Sequence, residues 1–359
     1  MTTTASTGIV NSLTTGRLPR WAPWLMLGAS WAVSSAFFAL LAAATSAEFN
    51  IVLAIFVGTI LFNIVIFVIA YLVEGARQAR NRLVTSLVST AFIIALLPLI
   101  SLIYTVVASG LVRFDPLFFS SSMRNVVGEG GGALHAITGT LLITGTAALI
   151  SVPVGLLTAI YLVEYGRGAL ARAITFFVDV MTGIPSIVAG LFAFAFFALI
   201  TGDAGIRFGF GGAVALSLLM VPVVVRSSEE MLKLVPNELR EASYALGVPK
   251  WLTILKIVIP TSIAGITTGV TLAIARVIGE TAPLLIISGF ATSMNYDIFS
   301  DRMMTLPVFV YNQYAQPGTD VQVYLDRAWA GALTLILIVM ALNLIARLIA
   351  RIFSPKLGR

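Results

Sequence analysis

Eight separate stretches of this chain are apolar and long enough to cross a bilayer as helices: roughly 24–46, 50–73, 83–108, 136–164, 173–200, 212–232, 261–290 and 328–352. A span needs about 20 consecutive apolar residues. No stretch alternates with the period of a barrel strand, so the backbone polar groups inside the bilayer must be satisfied within helices. Hydrophobic residues make up 58% of the chain and charged residues 11%, with a mean hydropathy of +1.00. A soluble domain cannot hide that much apolar surface. The expected fold class is therefore all-α, a polytopic membrane protein. The chain has no Cys, which removes disulfide frameworks and thiolate metal sites. The one histidine, His135, lies near the start of a span and reads as interfacial rather than as a ligand. Neither a metal nor a cofactor is expected.

The net charge of +6 invites a nucleic-acid reading, but its distribution is that of a topology signal. With the N-terminus in the cytoplasm, the inside segments carry Arg17, Arg20, Arg77, Arg80, Arg82, Arg167, Arg172, Lys233, Arg240, Lys250, Lys256, Arg347, Arg351, Lys356 and Arg359. The outside segments carry only Arg113, Arg124, Arg207, Arg302 and Arg327. Arg226 and Arg276 remain in or near the membrane. Both termini are thus expected in the cytoplasm, with membrane lipid and no nucleic acid as partner. Residues 1–23, rich in Thr and Ser, read as a disordered cytoplasmic tail, and residues 24–82 as two membrane helices and a basic loop. The string ending the first span resembles a signal-peptide cleavage site after Ala47. Its apolar run is too long for that, and the next span follows at once, so the helix is read as retained. Tyr71-Leu72-Val73-Glu74 recurs as Tyr161-Leu162-Val163-Glu164, each copy at the cytoplasmic end of a span and followed by a basic loop.

Residues 236–260 form a polar interruption between two apolar stretches. Asn237 after Pro236 suits a helix N-cap, and Glu238 and Glu241 suit the positive helix end. Gly247 suits a left-handed C-cap, and Pro249 the first turn of a second helix. Two short helices joined at Gly247-Val248 are expected, with Tyr244 and Leu246 available to a partner groove. Glu241, Ala242, Gly247, Ile257 and Pro260 fall in the register E-A-A-x3-G-x9-I-x-L-P. This register resembles the EAA signature of ABC-importer permeases, in which the loop docks on an ATPase. Ser243 stands where the signature has its second Ala, and Ile259 where it has Leu.

The seventh span contains GVTLAIARVIGETAPLL, residues 269–285. Read as one helix, it places Arg276 and Glu280 on one face. At about 1.5 Å per residue from Pro260, Arg276 lies roughly 24 Å along, near mid-membrane. Ionisable residues there are costly unless paired or facing water. Arg276 and Glu280 either neutralise one another and lock helix packing, or line an anion path. In the second case Arg276 offers a planar fork to a tetrahedral oxyanion, and Glu280 can accept a hydrogen bond from the proton that phosphate carries near neutral pH and sulfate lacks. Gly265, Gly269, Ala273 and Gly279 offer small faces for close packing. Glu164, Asp179 and Arg226 read as interfacial. Pro153, Pro185 and Pro222 interrupt spans four, five and six. The outside segments 109–135 and 291–327 are expected as loops open to an extracytoplasmic partner. The Gly-rich run 128–132 is not a phosphate loop, because no Lys-Ser/Thr follows it.

The strings IARVIGETAPLL (274–285), YLVEYGRG (161–168) and DVMTGIPSIVAGLFAF (179–194), with the hairpin, resemble the PstA-type permeases of bacterial phosphate ABC importers, in the MetI-like binding-protein-dependent family. The likeness runs over about 83–352. It implies a six-helix permease core at 83–359, carrying the coupling hairpin at 236–260, with the helix pair of 24–82 as an addition. It also implies a bacterial inner-membrane location and three protein partners: a second permease (PstC-like), an ATPase dimer (PstB-like) and an extracytoplasmic phosphate-binding protein (PstS-like). In this reading phosphate is the substrate and the ATP site belongs to another chain. Arg276 and Glu280 matter for transport, while Glu241, Ala242 and Gly247 form the ATPase contact. A permease for sulfate, molybdate or another solute, or a secondary transporter, is the alternative.

Overall fold

Only helices and their connections occur among the described residues, 18–45 and 48–353, of this computed structural model. The expected tail up to residue 17, and Ala47, lie outside them. Two compact units divide inside one long helix, one running up to Ile103 and the other from Tyr104.

The first unit holds α1 (Ala22–Thr45), α2 (Ile51–Glu74) and most of α3 (Ala76–Gly110). Asn50 caps α2, its side chain accepting from Leu53 N at 3.0 Å. Between lipid-immersed helices the hydrophobic effect is weak, and close packing and polar bonds take its place. Accordingly, a Cβ added at Gly58 would lie 2.8 Å from Trp31 Cδ1, Ser34 Oγ donates to the carbonyl of Ala54 at 2.7 Å, and Ser86 Oγ donates to Asn63 Oδ1 at 2.7 Å. At the end of α2, Glu74 accepts a two-pronged bond from Arg82, Nε at 2.5 Å and Nη2 at 2.7 Å.

The second unit is organised around α5 (Leu134–Ile160) and α8 (Gly209–Lys233), which pack along each other. Gly155 makes their approach possible, since a Cβ there would lie 2.7 Å from Val224 Cγ1. Pro153 and Pro222 lie inside these helices without ending them. Pro185 does break its span: the expected fifth span is two helices, α6 (Gly168–Thr182) and α7 (Ser186–Thr201), bent by 109°. Gly183 and the proline, with its missing N–H and fixed φ, end one helix and start the next. Among the described residues, seven helices are long and apolar enough to cross a membrane, or eight spans if the bent pair counts as one.

Parts of the expected loops at the other end are folded into the core, while others, such as Val127, Tyr296 and Phe299, stay exposed. Phe118, in the short α4 (Pro116–Ser120), is fully buried. So are Leu306, Val308 and Phe309 of α13 (Leu306–Ala315). Leu306 N donates to Thr140 Oγ1 of α5 at 2.7 Å. His135 is consequently buried rather than interfacial, with Phe309 edge-on to its ring at 5.8 Å. Arg327 belongs to no open loop either: it lies near the start of α14 (Val321–Phe353), 0% exposed. Its Nη1 donates to the carbonyls of Gly128 and Gly130 at 3.0 and 3.1 Å. The Gly-rich run therefore wraps an arginine, with Gly128 and Gly130 at φ +80° and +90°, a backbone region other residues resist.

Candidate functional site: the polar hairpin and the broken seventh span

The hairpin has the two expected helices, α9 (Asn237–Ala245) and α10 (Lys250–Thr253). Its first cap differs from expectation. Pro236 takes the extended cap position, and Asn237 enters the first turn, where its Oδ1 accepts from Arg240 Nη1 at 3.3 Å. Gly247 has φ +76°. Val248 N donates to Ser243 O at 3.2 Å and Gly247 N to Tyr244 O at 2.9 Å, the paired bonds of a Schellman stop. Pro249 stands just before α10 rather than inside it, and its carbonyl accepts from Leu252 and Thr253. Ser243, one of the two departures from the EAA register, is buried and hydrogen-bonded to Thr253 Oγ1 at 2.8 Å, joining the two helices. Glu241, Ala242 and Gly247 are all exposed, and Leu246 is 83% exposed at the tip. Thus α9 has an inner face, with Arg240 and Ser243, and an outer face open to a partner.

No loop separates α10 from the next span. A π turn (Ile254–Val258) carries it into α11 (Ile259–Val277), and Lys250–Val277 is one membrane-length helix. The span expected at 261–290 therefore starts earlier and stops sooner. It breaks at Ile278–Thr281 and resumes as the short α12 (Ala282–Ile287). Arg276 occupies the last turn of α11, and Glu280 lies in the break, so the two do not share a helix face. No ion pair joins them, and Arg276 has no hydrogen-bond partner among the described residues. Arg276 is exposed on the surface of this single chain, and Glu280 is half-buried. Gly265 and Gly269 are packing faces as expected, against Met231 and Ser227 of α8; Gly279 faces open space. Pro283 packs on α7, where a Cβ at Gly190 would lie 2.5 Å from its Cα.

The charges read as interfacial are organised. Arg226 pairs with Asp179 of α6 and, at 2.9 Å, with Glu229, which also accepts from Lys233 at 2.7 Å. Glu164 lies in a second π turn, Tyr161–Tyr165, that ends α5. It accepts from Arg240 of the hairpin, Nε at 3.0 Å and Nη2 at 2.9 Å. The repeated Tyr-Leu-Val-Glu is the sequence signal for this: in both copies the glutamate receives an arginine, Arg82 from the next helix for Glu74 and Arg240 from the distant hairpin for Glu164.

The fold and hairpin define a permease of the ABC-importer class. The chain belongs to the family of binding-protein-dependent transport system inner membrane components, whose model matches residues 151–359. It is thereby a multi-pass membrane protein. Among its relatives are phosphate transport system permease proteins. It is 48% identical over 276 residues to PstA 1 of Mycobacterium tuberculosis (strain CDC 1551 / Oshkosh), covering 76% of this chain and 89% of that protein. To PstA of Yersinia pestis it is 38% identical over 281 residues, covering 77% and 92%. A bacterial alginate ABC transporter, solved in complex with an alginate pentasaccharide-bound periplasmic protein, shares the fold at TM-score 0.55 and 14% identity, covering 78% of this chain and 97% of that one.

Proposed function

We propose that this chain is one of two permease subunits of an ATP-driven phosphate importer in a bacterial inner membrane. The observation that carries this reading is Arg276. An exposed arginine without a partner, near the end of a membrane-length helix, is costly against lipid. Its surface calls for a second permease subunit, a PstC-like chain, with a water-filled path between the two. A guanidinium suits a phosphate oxygen pair. Glu280, in the helix break four residues on, accepts a hydrogen bond from the phosphate hydroxyl or orients Arg276. The relatives' phosphate transport names support the choice of anion.

The hairpin end faces the cytoplasm in this reading, as do both termini. Glu241, Ala242 and Gly247 meet a PstB-like ATPase dimer, which supplies the ATP hydrolysis. A PstS-like phosphate-binding protein delivers the anion at the other end. The test is uptake of radiolabelled phosphate by vesicles holding the assembled complex, with ATP inside and the binding protein outside. Uptake that requires ATP, and that excess unlabelled phosphate abolishes and sulfate does not, is the expected result. Uptake equally suppressed by sulfate, or independent of ATP, contradicts it.

A further inference from the structure

Both arms of the hairpin converge on one residue outside it. From α9, Arg240 reaches the carboxylate of Glu164 with Nε and Nη2. From α10, Lys250 Nζ donates to the backbone carbonyl of Glu164 and sits over the Tyr165 ring, 4.7 Å from its centroid. Arg240 holds the end of α8 as well, donating to the carbonyls of Val235 at 2.6 Å and Leu232 at 3.0 Å. The Glu164 side chain is 5% exposed and that of Arg240 12%. This is not a solvated surface pair, whose loss would matter little. Breaking it strands a charge away from water.

Its position in the chain is as specific as its geometry. Arg240 directly precedes Glu241, and the two side chains leave α9 about 100° apart, one turned inward and largely covered, the other exposed. A partner that moves α9 by its outer face therefore moves the Glu164 contact with it, because the helix turns as one rigid element. Glu164 in turn belongs to the π turn that ends α5, the helix packed along α8 at the centre of the unit. The other π turn, Ile254–Val258, lies where the hairpin enters α11. A π turn holds one extra residue, and single π turns are concentrated at functional sites. The hairpin is thus joined to the bundle through two irregular turns, and the first is clamped by Glu164.

We propose that Glu164 is the positioning residue that links the hairpin to α5 and α8, so that force from the ATPase reaches the transport path through the Glu164–Arg240 contact. This rests on the ATP-driven reading above. The residue acts through the hairpin and touches neither nucleotide nor anion.

The test uses the assembled complex in vesicles, with ATP hydrolysis and phosphate uptake measured on the same preparation and expressed as anions moved per ATP. E164Q keeps the side-chain size and removes the charge. R240K keeps the charge and removes the fork. Both are expected to hydrolyse ATP within about twofold of wild type while moving roughly tenfold fewer anions per ATP, a change of about 1.4 kcal/mol in coupling. E164D, which keeps the carboxylate, is expected to recover most of the ratio. If a variant assembles poorly, the ratio is read on the fraction purified through the ATPase, where a merely structural role leaves it at the wild-type value. A wild-type ratio in both E164Q and R240K overturns the proposal. Absence of ATP-dependent uptake in the wild-type complex instead overturns the reading on which it rests.

Discussion

Gly247 shows how one backbone angle can be the whole requirement at a position. A Cβ there would meet nothing within 4 Å, so space is no constraint, and φ +76° is the only obstacle to a side chain. A non-glycine residue in that conformation costs roughly 1–2 kcal/mol, and asparagine tolerates it better than most. Gly247→Val is therefore expected to distort the hairpin tip and cut ATP-driven uptake, with thermal unfolding of the membrane bundle unchanged. Gly247→Asn should keep most uptake. Equal uptake in the two variants would mean that the angle is irrelevant to coupling. Ser243 and Thr253 make a different case, because both hydroxyls are buried and bonded to each other. Ser243→Ala should cost about 1 kcal/mol by removing this bond and leaving the Thr253 hydroxyl only its longer bond to the carbonyl of Pro249, at 3.4 Å. With Thr253→Val added, the double variant should be less destabilised than the sum of the two single changes. A double-mutant cycle of melting temperatures checks this, and strict additivity would show that the bond contributes nothing.

At the scale of elements, the sequence made legible what depends on local backbone chemistry. The apolar runs, the two hairpin helices and the Gly247 stop follow from periodicity, helix preference and one glycine, and the structure has them. Less legible was what distant contacts decide. Pro153 and Pro222 look like breaks, yet α5 and α8 run through them, while Pro185, preceded by Gly183, bends its span by 109°. The aromatic stretch around Phe309 reads as a loop until Thr140 of α5 and the ring of His135 are seen to receive it. Arg276 and Glu280 were identifiable by residue type, but their helical pairing was not to be trusted. The break at Ile278–Thr281 depends on α12 packing against α7, which spacing along the chain does not report. Glu164 was visible in the repeat, though its partner Arg240 lies 76 residues away.

For the molecule as a whole, the alignments to the mycobacterial and Yersinia proteins cover about three quarters of this chain and about nine tenths of each relative. The helix pair α1–α2 carries its own contacts through Gly58, Ser34 and Ala54. A chain beginning near residue 75 is accordingly expected to assemble with its partners and to transport, with lower yield. Loss of uptake in an assembled shortened complex would give the pair a part in transport. In the proposed function, Arg276 faces an anion path shared with a second subunit. Arg276→Lys keeps the charge and loses the fork, and a lost charge-assisted bond costs about 1.5–3 kcal/mol, or roughly ten- to a hundredfold in rate. The most direct measurement is ATP-driven uptake of radiolabelled phosphate by complexes carrying Arg276→Lys, Arg276→Ala or Glu280→Gln, each challenged with excess sulfate. A loss of at least tenfold is expected in both arginine variants, with ATPase assembly intact, and a smaller loss in Glu280→Gln. Wild-type uptake by Arg276→Ala would contradict that role for Arg276.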